Sequence, residues 1–199
     1  MQVSLKEGKV VGLPQVNTIA DGTAVKRPGE KLFPYIQENV DSIITIEDSE
    51  LIVAFLDMVE NHKMVVENSG LLTVAALKHL NVQKKKIVSI LSGGNMDVIT
   101  MSSVVQQGLI LRDRIFTVSV LLPDKPGVLT PIFEAISQNG GNVLSVLTSR
   151  GKTQEGTSHV YIRLHAMDSE KEKALIENMK KAMPLEYWMD DEFHCNRNC

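Results

Sequence analysis

Between Asp41 and Gly108 short β-branched runs alternate with longer amphipathic runs, and this alternation restricts the fold more than any other feature of the sequence. A short β-branched run is typical of a buried strand, whereas apolar residues three and four apart indicate a helix. Strands that alternate with helices form a parallel sheet. A helix over 97–108, with Gly108 as its C-cap, closes the series. The predicted elements are a strand at 42–46, a helix from 47 to about 62, a strand at 63–66, a helix at 70–79 and a strand at 86–91.

Polar residues follow two of these strands, which is where open α/β sheets bind ligands. Glu67-Asn-Ser-Gly70 follows one strand, and Ser92, Gly93, Gly94 and Asn95 follow the next. Two alternatives remain open, because a Gly-Gly pair is often a tight turn and Asn68 or Ser69 caps a helix equally well. Glu67 does not fit a capping role, since it ends an apolar strand where a buried charge needs a partner.

The first 29 residues are rich in glycine and proline, which interrupt regular structure. Their apolar residues are numerous enough to pack, so a packed loop is predicted. Because no strand or helix opens the chain, we expect it to begin partway through a larger domain.

The composition argues against several classes of protein. A formal net charge of -3, with no basic run longer than Lys84 to Lys86, excludes an electrostatic footprint for nucleic acid. No apolar stretch approaches a membrane span of about 20 residues, and no signal peptide is visible, so a cytoplasmic protein is expected. Cys195 and Cys199, together with His194, provide too few ligands for a closed zinc site. A disordered tail is predicted over 192–199.

The second half has the pattern of a βαββαβ module, which is the order of the ferredoxin-like fold. Gln106 to Asp113 separates it from the first half. The predicted elements are strands at 116–122, 142–149, 158–164 and 185–189, and helices at 128–138 and 168–181.

Three motifs of the first half together resemble threonine dehydratase (threonine ammonia-lyase), a pyridoxal phosphate enzyme of the tryptophan-synthase-β type. The motifs are Asn17-Thr-Ile-Ala-Asp-Gly-Thr-Ala-Val-Lys-Arg-Pro-Gly29, Glu67-Asn-Ser-Gly70 and Leu91-Ser-Gly-Gly-Asn95. The resemblance implies that Ser92 binds the pyridine nitrogen of the cofactor, within the loop of Gly93, Gly94 and Asn95, and that Glu67 lines the cofactor cavity. A hydroxyl leaves the pyridine largely unprotonated, which favours loss of the β-hydroxyl over transamination.

The same resemblance shows what these 199 residues lack. The family's Schiff-base lysine lies in a Ser-x-Lys-x-Arg-Gly type of motif, and its phosphate is held by four glycines after a serine; neither motif occurs here. Lys26, Lys63 and Lys78 lie in unrelated contexts, where lysines are solvated. The chain alone is therefore expected to form no internal aldimine and to be inactive.

A second resemblance concerns Pro123-Asp-Lys-Pro-Gly-Val-Leu129 followed by Asn139-Gly-Gly-Asn-Val143, which is similar to an ACT domain. Gly127 lets the backbone approach a ligand at a helix N-terminus, whose free N–H groups suit a carboxylate. The resemblance implies an amino-acid effector such as isoleucine or valine, held by Asp124, Lys125, Pro126 and Gly127 together with Asn142, usually between two copies. The turn alone is also consistent with a simple helix start.

The sequence therefore predicts an α/β protein with three parts: an incomplete pyridoxal phosphate catalytic domain of fold type II over 1–110, a ferredoxin-like ACT domain over 111–191, and a tail. The predicted function is the C-terminal portion of a threonine ammonia-lyase, which deaminates threonine to 2-oxobutanoate and ammonia, as a homo-oligomer. Two alternatives stay open. The chain is a stand-alone amino-acid sensor with a degenerate catalytic half, or a structural partner that completes another chain's active site.

Overall fold

The computed structural model describes residues 1–81, 83–149 and 156–182, and the chain divides into two units between Gly108 and Leu109. The α-helices are α1 Gln2–Glu7, α2 Phe33–Asn39, α3 Asp48–Asp57, α4 Leu72–Ala75, α5 Val98–Leu111, α6 Thr130–Gln138 and α7 Ser169–Ala182. The strands are β1 Ile115–Pro123, β2 Asn142–Ser149 and β3 Thr157–His165. Short 3-10 turns at Asp21–Thr23, Asn68–Leu71 and Ala76–His79 and a π-helical turn at Met58–His62 complete the described elements.

Helix α3 lies within the helix predicted from 47 to about 62, and it forms the centre of the core of the first unit. Its start is fixed by a capping box, in which the Glu50 carboxylate accepts the backbone N–H of Glu47 at 3.1 Å. Leu51 and Phe55 are fully buried on its inner face. Its core partners are Val66 and residues of the 18–23 loop, the 68–75 turns and α5: Ala20, Leu71, Ala75 and Val104.

The predicted parallel sheet does not form among the described residues of the first unit, and this part of the prediction is wrong. Residues 42–46, 63–66 and 86–91 have no strand assignment, although one backbone bond, from Glu67 N–H to Gly93 O at 3.3 Å, links the two loops. Several of the β-branched side chains stay in solvent, with Val88 88% and Ile90 71% exposed, whereas Val66 is only 3% exposed. A parallel strand needs hydrogen-bonded neighbours and cover on both faces. No described segment of this unit provides them.

Gly108 is not the C-cap of α5, in contrast to the prediction, because the helix continues to Leu111. A Cβ at Gly108 would lie 3.2 Å from Leu56 Cβ. The glycine therefore permits close packing against α3, rather than a reversal of the chain. The reversal follows at Asp113, which has φ 54 and donates its N–H to Ile110 O at 3.0 Å.

The N-terminal loop prediction is also corrected, since Gln2–Glu7 forms α1. Ser4 is fully buried, and its hydroxyl accepts the N–H of Val11 at 3.0 Å. Gly8, at φ 66, ends the helix in the left-handed conformation that glycine adopts without strain.

The second unit is an antiparallel sheet in the order β1-β3-β2, with α6 and α7 covering one face. Val120 lies opposite Val160, and Val146 lies opposite Ile162. The pairing of β2 shifts at a bulge between Val143 and Ser145. The core combines alternate residues of β1 and β3 with residues of both helices: Phe116, Val118, Val120, Leu122, Val160, Ile162, Leu164, Ile132, Ile136, Leu175 and Met179.

This arrangement confirms the βαββα part of the predicted module and the mixed α/β class of the chain. The predicted last strand at 185–189, the tail over 192–199 and the two cysteines lie outside the described residues. Within 1–81, 83–149 and 156–182 no helix is long and apolar enough to cross a membrane.

Candidate functional site

The two predicted polar loops lie against each other in the first unit. A Cβ at Gly93, which has φ 79, would lie 2.4 Å from the carboxylate carbon of Glu67. A Cβ at Gly70 would lie 1.8 Å from the backbone oxygen of Ser92. Both positions therefore exclude any larger residue, because the facing atoms need that space. The glycines of the two motifs place the Glu67 carboxylate beside the Ser92–Gly94 backbone.

A third motif, the Asp21-Gly22 turn, joins this contact. A Cβ at Gly22 would lie 2.9 Å from Ser69 Oγ and 3.9 Å from Glu67 Oε1. The Asn68 side chain is only 5% exposed, and its amide donates to Ile19 O at 3.1 Å. Three segments that are far apart in sequence thus meet at Glu67.

The cleft between these segments has a volume of about 480 Å³. Three carboxylates, those of Asp21, Glu67 and Asp97, are part of its lining, and no lysine or arginine is among the lining residues. The remaining lining residues are polar or apolar: Thr18, Ile19, Asn68, Asn95, Met96, Ile99, Thr100, Ser103, Val104 and Gln107. The cleft is therefore an acidic environment.

Asp97 caps the N-terminus of α5 at the side of the cleft. Its Oδ1 accepts the backbone N–H groups of Ile99 and Thr100, each at 2.9 Å, and its Oδ2 accepts the Thr100 hydroxyl. The bond from the Thr100 hydroxyl, followed by that from the Thr100 N–H, lowers the pKa of Asp97 below its usual value of 3.8. N–H groups that would otherwise attract an anion are already occupied.

Some of the predicted cofactor residues line the cleft, and others lie outside its lining. Glu67 and Asn95 line the cleft, while Ser92, Gly93 and Gly94 form the exposed loop beside it. Their roles remain predictions. In the described ranges no cluster of His, Cys, Asp or Glu is arranged to hold a metal ion.

The predicted effector residues of the second unit lie at opposite ends of its sheet. Asp124 to Gly127 follow Pro123, which faces Thr157, whereas Asn142 faces His165. Eight residues of β3 separate the two ends, about 26 Å at roughly 3.3 Å per residue. One copy of the domain therefore does not bring them together.

The turn itself is exposed and accessible. Gly127 has φ 79, and nothing lies within 4 Å of where its Cβ would be. Asp124 donates its N–H to Gly156 O at 2.9 Å, and α6 begins at Thr130, after the predicted start at Val128. This leaves an open backbone loop directly before a helix N-terminus.

Two groups of polar contacts were not predictable from local patterns. Asp48 accepts the Thr18 hydroxyl at 2.5 Å and the Ile19 N–H at 3.1 Å. On the sheet of the second unit, Ser119 Oγ lies 2.5 Å from His159 Nε2, and the His159 ring stacks on Tyr161. These partners are 29 or more positions apart, or alternate along a strand as ordinary polar residues do, so no sequence signal marks them.

Comparison with known families assigns the two halves separately. Residues 1–93 match the family described as pyridoxal-phosphate dependent enzyme, and residues 116–182 match the ACT domain. Enzymes of the first family use pyridoxal phosphate, whose phosphate group needs cationic or N–H partners and whose aldehyde needs a lysine. The cleft offers three carboxylates and no basic side chain. The cleft lining therefore supplies neither the lysine nor a basic side chain for the phosphate.

Individual relatives agree with these families. An L-threonine ammonia-lyase of Geobacter sulfurreducens is 35% identical over 182 residues, which are 89% of this chain and 45% of the relative. The L-threonine ammonia-lyase of Thermotoga maritima is 32% identical over 84% of this chain and 43% of the relative. The processed form of threonine deaminase isoform 2 from Solanum lycopersicum matches 53% of this chain and 32% of that chain, with 31% identity and a TM-score of 0.49.

The chain thus spans less than half the length of the two ammonia-lyases. Both family matches fall inside the two units that the fold separates at Gly108. Residues 1–93 therefore match the pyridoxal-phosphate dependent enzymes and residues 116–182 match the ACT domain, and the chain is similar to the L-threonine ammonia-lyases over most of its own length.

Proposed function

We propose that this chain supplies the C-terminal part of the catalytic region, and the regulatory domain, of a cytoplasmic threonine ammonia-lyase. The reaction is the deamination of threonine to 2-oxobutanoate and ammonia. The Schiff-base lysine and the phosphate-binding glycines come from residues outside these 199. One observation carries the proposal: the Asp21-Gly22 turn and the Ser92–Gly94 loop both lie beside Glu67, which lines the cleft together with Asp21.

The charge of the cleft supports an amino acid as its ligand. The Asp21 and Glu67 carboxylates are part of a lining that contains no basic side chain. Opposite charges a few Å apart attract by about 4 kcal/mol near a protein surface. An ammonium group is therefore favoured on this side, whereas the phosphate and the substrate carboxylate require partners elsewhere.

The experiment compares the chain alone with the chain joined to the missing region. The first half of the Geobacter sulfurreducens enzyme is co-expressed with this chain, and 2-oxobutanoate is measured with threonine and pyridoxal phosphate present. We expect activity from the pair and none from either part. Glu67→Gln and Ser92→Ala in the pair should lower kcat/KM, while Thr73→Ser, outside the cleft lining, serves as the control.

Two results contradict this proposal. A stoichiometric, borohydride-reducible pyridoxyl-lysine in the chain alone would show that it contains its own Schiff-base lysine. An inactive pair that nevertheless co-purifies and binds the cofactor would show that the cleft does not serve this reaction.

A second function, amino-acid sensing, is favoured by the form of the ACT domain. Strand β2 is exposed along its whole length, with Leu147 67% exposed, although its other edge pairs with β3. An exposed, apolar edge strand is a template for pairing. Antiparallel pairing of β2 with the β2 of a second copy would place Asn142 of one copy at the sheet end where the partner copy carries its Asp124 to Gly127 turn.

We infer that isoleucine or valine binds between the two copies, with Gly127 and the turn receiving the carboxylate and Asn142 the amino group. A ligand at 100 times its dissociation constant stabilises the folded dimer by about 2.7 kcal/mol. Asn142→Ala should abolish the thermal shift that the ligand causes and leave the dimer intact. Ser145→Ala, in the middle of β2 and away from both ends of the sheet, is the matched control.

Sedimentation and calorimetry decide the sensing proposal. A monomer at micromolar concentration, or no heat with isoleucine, valine, leucine, threonine and serine, would contradict it. Ligand binding without activity of the co-expressed pair would instead favour a stand-alone sensor over a regulated enzyme.

A further inference from the structure

One carboxylate at the start of helix α3 accepts hydrogen bonds from a loop and does not cap the helix. The capping box of Glu47 and Glu50 already satisfies the first turn of the helix. Asp48 is half-buried, and it directs both carboxylate oxygens at another segment: Oδ1 accepts the Thr18 hydroxyl at 2.5 Å, and Oδ2 accepts the Ile19 N–H at 3.1 Å. A carboxylate is also stabilised at this end of a helix by the helix dipole.

The same loop is held from its other side by Asn68. The Asn68 amide donates to Ile19 O at 3.1 Å, so that both polar backbone groups of Ile19 are bound by side chains. These side chains lie 29 and 49 positions further along the chain. Thr18 also accepts the Ala20 N–H on its hydroxyl at 3.1 Å.

The held segment is the one that reaches the cleft. A 3-10 turn over Asp21–Thr23 is separated from Ile19 by one residue, and Thr23 N–H donates to Ala20 O at 3.0 Å. This turn puts Asp21 into the cleft lining and Gly22 against Ser69 and Glu67. The placement of Asp21 relative to Glu67 therefore depends on the bonds at Thr18 and Ile19.

We infer that Asp48 and Asn68 are positioning residues, which fix the Thr18–Thr23 segment against Glu67 and thereby set the geometry of the cleft. The kinetic part of this inference rests on the proposed function, whereas its structural part does not. Bonds to a charged acceptor contribute about twice as much as bonds between neutral groups. Asp48 is accordingly the stronger of the two holding groups.

The structural test is amide hydrogen exchange in the full chain. Thr18→Val keeps the shape of the side chain, removes the hydroxyl donor to Asp48 and leaves Ala20 N–H without its acceptor. Exchange of residues 17–25 should become about tenfold faster, because one charge-assisted bond and one neutral bond are lost. Exchange of α3 should stay unchanged. Asp48→Asn should act on the same peptide.

Two matched variants make this test specific. Thr18→Ser retains the hydroxyl and should restore wild-type exchange. Thr73→Val removes a hydroxyl bond of the same kind, from Thr73 to Ile90 O at 2.9 Å, and should not affect residues 17–25. The double variant of Thr18→Val with Asp48→Asn should show less than the sum of the single effects, since both remove one contact.

The kinetic test uses the co-expressed pair described above. Thr18→Val should raise the KM for threonine about tenfold with a smaller change in kcat, and Thr18→Ser should restore it. If the pair has no activity, the proposed function fails while the exchange experiment still decides the positioning role. Unchanged exchange in 17–25, or equally faster exchange throughout the first unit, would overturn the inference.

Discussion

Val88 and Val120 belong to similar β-branched runs, yet the exposures of their side chains are opposite. Val120 in β1 is fully buried, while Val88 in the first unit is 88% exposed. The second unit contains within its own residues the strand β3 that pairs with β1 and the helices that cover it. The first unit has a core around α3, but no described segment pairs with residues 86–91. A strand-forming run becomes a strand only where a partner edge and a cover exist.

The largest contrast is expected from core truncation. Phe116→Ala in β1 should cost about 3–5 kcal/mol, because it removes a fully buried ring from the core of the second unit. Ile90→Ala should change the free energy of unfolding by less than about 0.5 kcal/mol, since Ile90 is 71% exposed. Urea unfolding followed by circular dichroism measures both. Equal effects would mean that Ile90 packs in a core as deeply as Phe116 does.

A smaller contrast is expected between two glycines that lie in close contacts. A Cβ at Gly70 would meet the backbone oxygen of Ser92 at 1.8 Å, whereas a Cβ at Gly141 would meet the terminal Leu175 Cδ2 at 2.6 Å. A backbone atom moves only with its loop, while a leucine methyl group turns away. Gly70→Ala should therefore cost about 1–3 kcal/mol and Gly141→Ala less.

The two glycine variants are compared by thermal unfolding and by hydrogen exchange at 91–97. Faster exchange in that loop is expected for Gly70→Ala alone. A greater loss with Gly141→Ala would contradict the rigid contact between Gly70 and Ser92.

The smallest expected effect is that of pH on the start of α5. The pKa of Asp97 is lowered by its bonds to Thr100, so the ionised form stabilises the folded helix start. This contribution is present above the usual value of 3.8 and is lost as the pH falls through the lower folded value. Exchange of residues 98–101 should therefore accelerate below about pH 4.

Asp97→Asn is the matched control for this pH dependence, because asparagine also caps helices well and does not titrate. The variant should show the same exchange of 98–101 at pH 3 and pH 5 after correction for the intrinsic rate. A parallel acceleration in the variant would place the effect on other carboxyl groups.

The sequence predicts the second unit closely because its signals are local and because the segments that pair with its strands and cover them belong to the same unit. The alternation in 116–122 and the predicted hairpin strand at 142–149 correspond to strands at Ile115–Pro123 and Asn142–Ser149. Carboxylates at 47–50 likewise mark the start of α3. Each of these signals is satisfied by residues within the same unit.

Other features depend on contacts that no local pattern contains. A glycine such as Gly108 is typical of a helix end, but here the absence of a side chain is required by the close approach of Leu56. The hydrogen bond from the Thr18 hydroxyl to Asp48 joins residues 30 positions apart. The proximity of Glu67 to the Ser92–Gly94 loop was predicted from the ends of two expected strands, whereas the Asp21-Gly22 turn was connected with them only by family resemblance, because the position of a loop in the sequence does not show which other loops it meets.

The bulge between Val143 and Ser145 gives the exposed edge of the second unit a particular property. An unbroken apolar edge strand would accept added strands without limit, which is the route to aggregation. A bulge increases the local twist and interrupts the regular series of hydrogen bonds. The bulge therefore shortens the uninterrupted stretch of β2 to the residues after Ser145, which works against the addition of further strands at this edge.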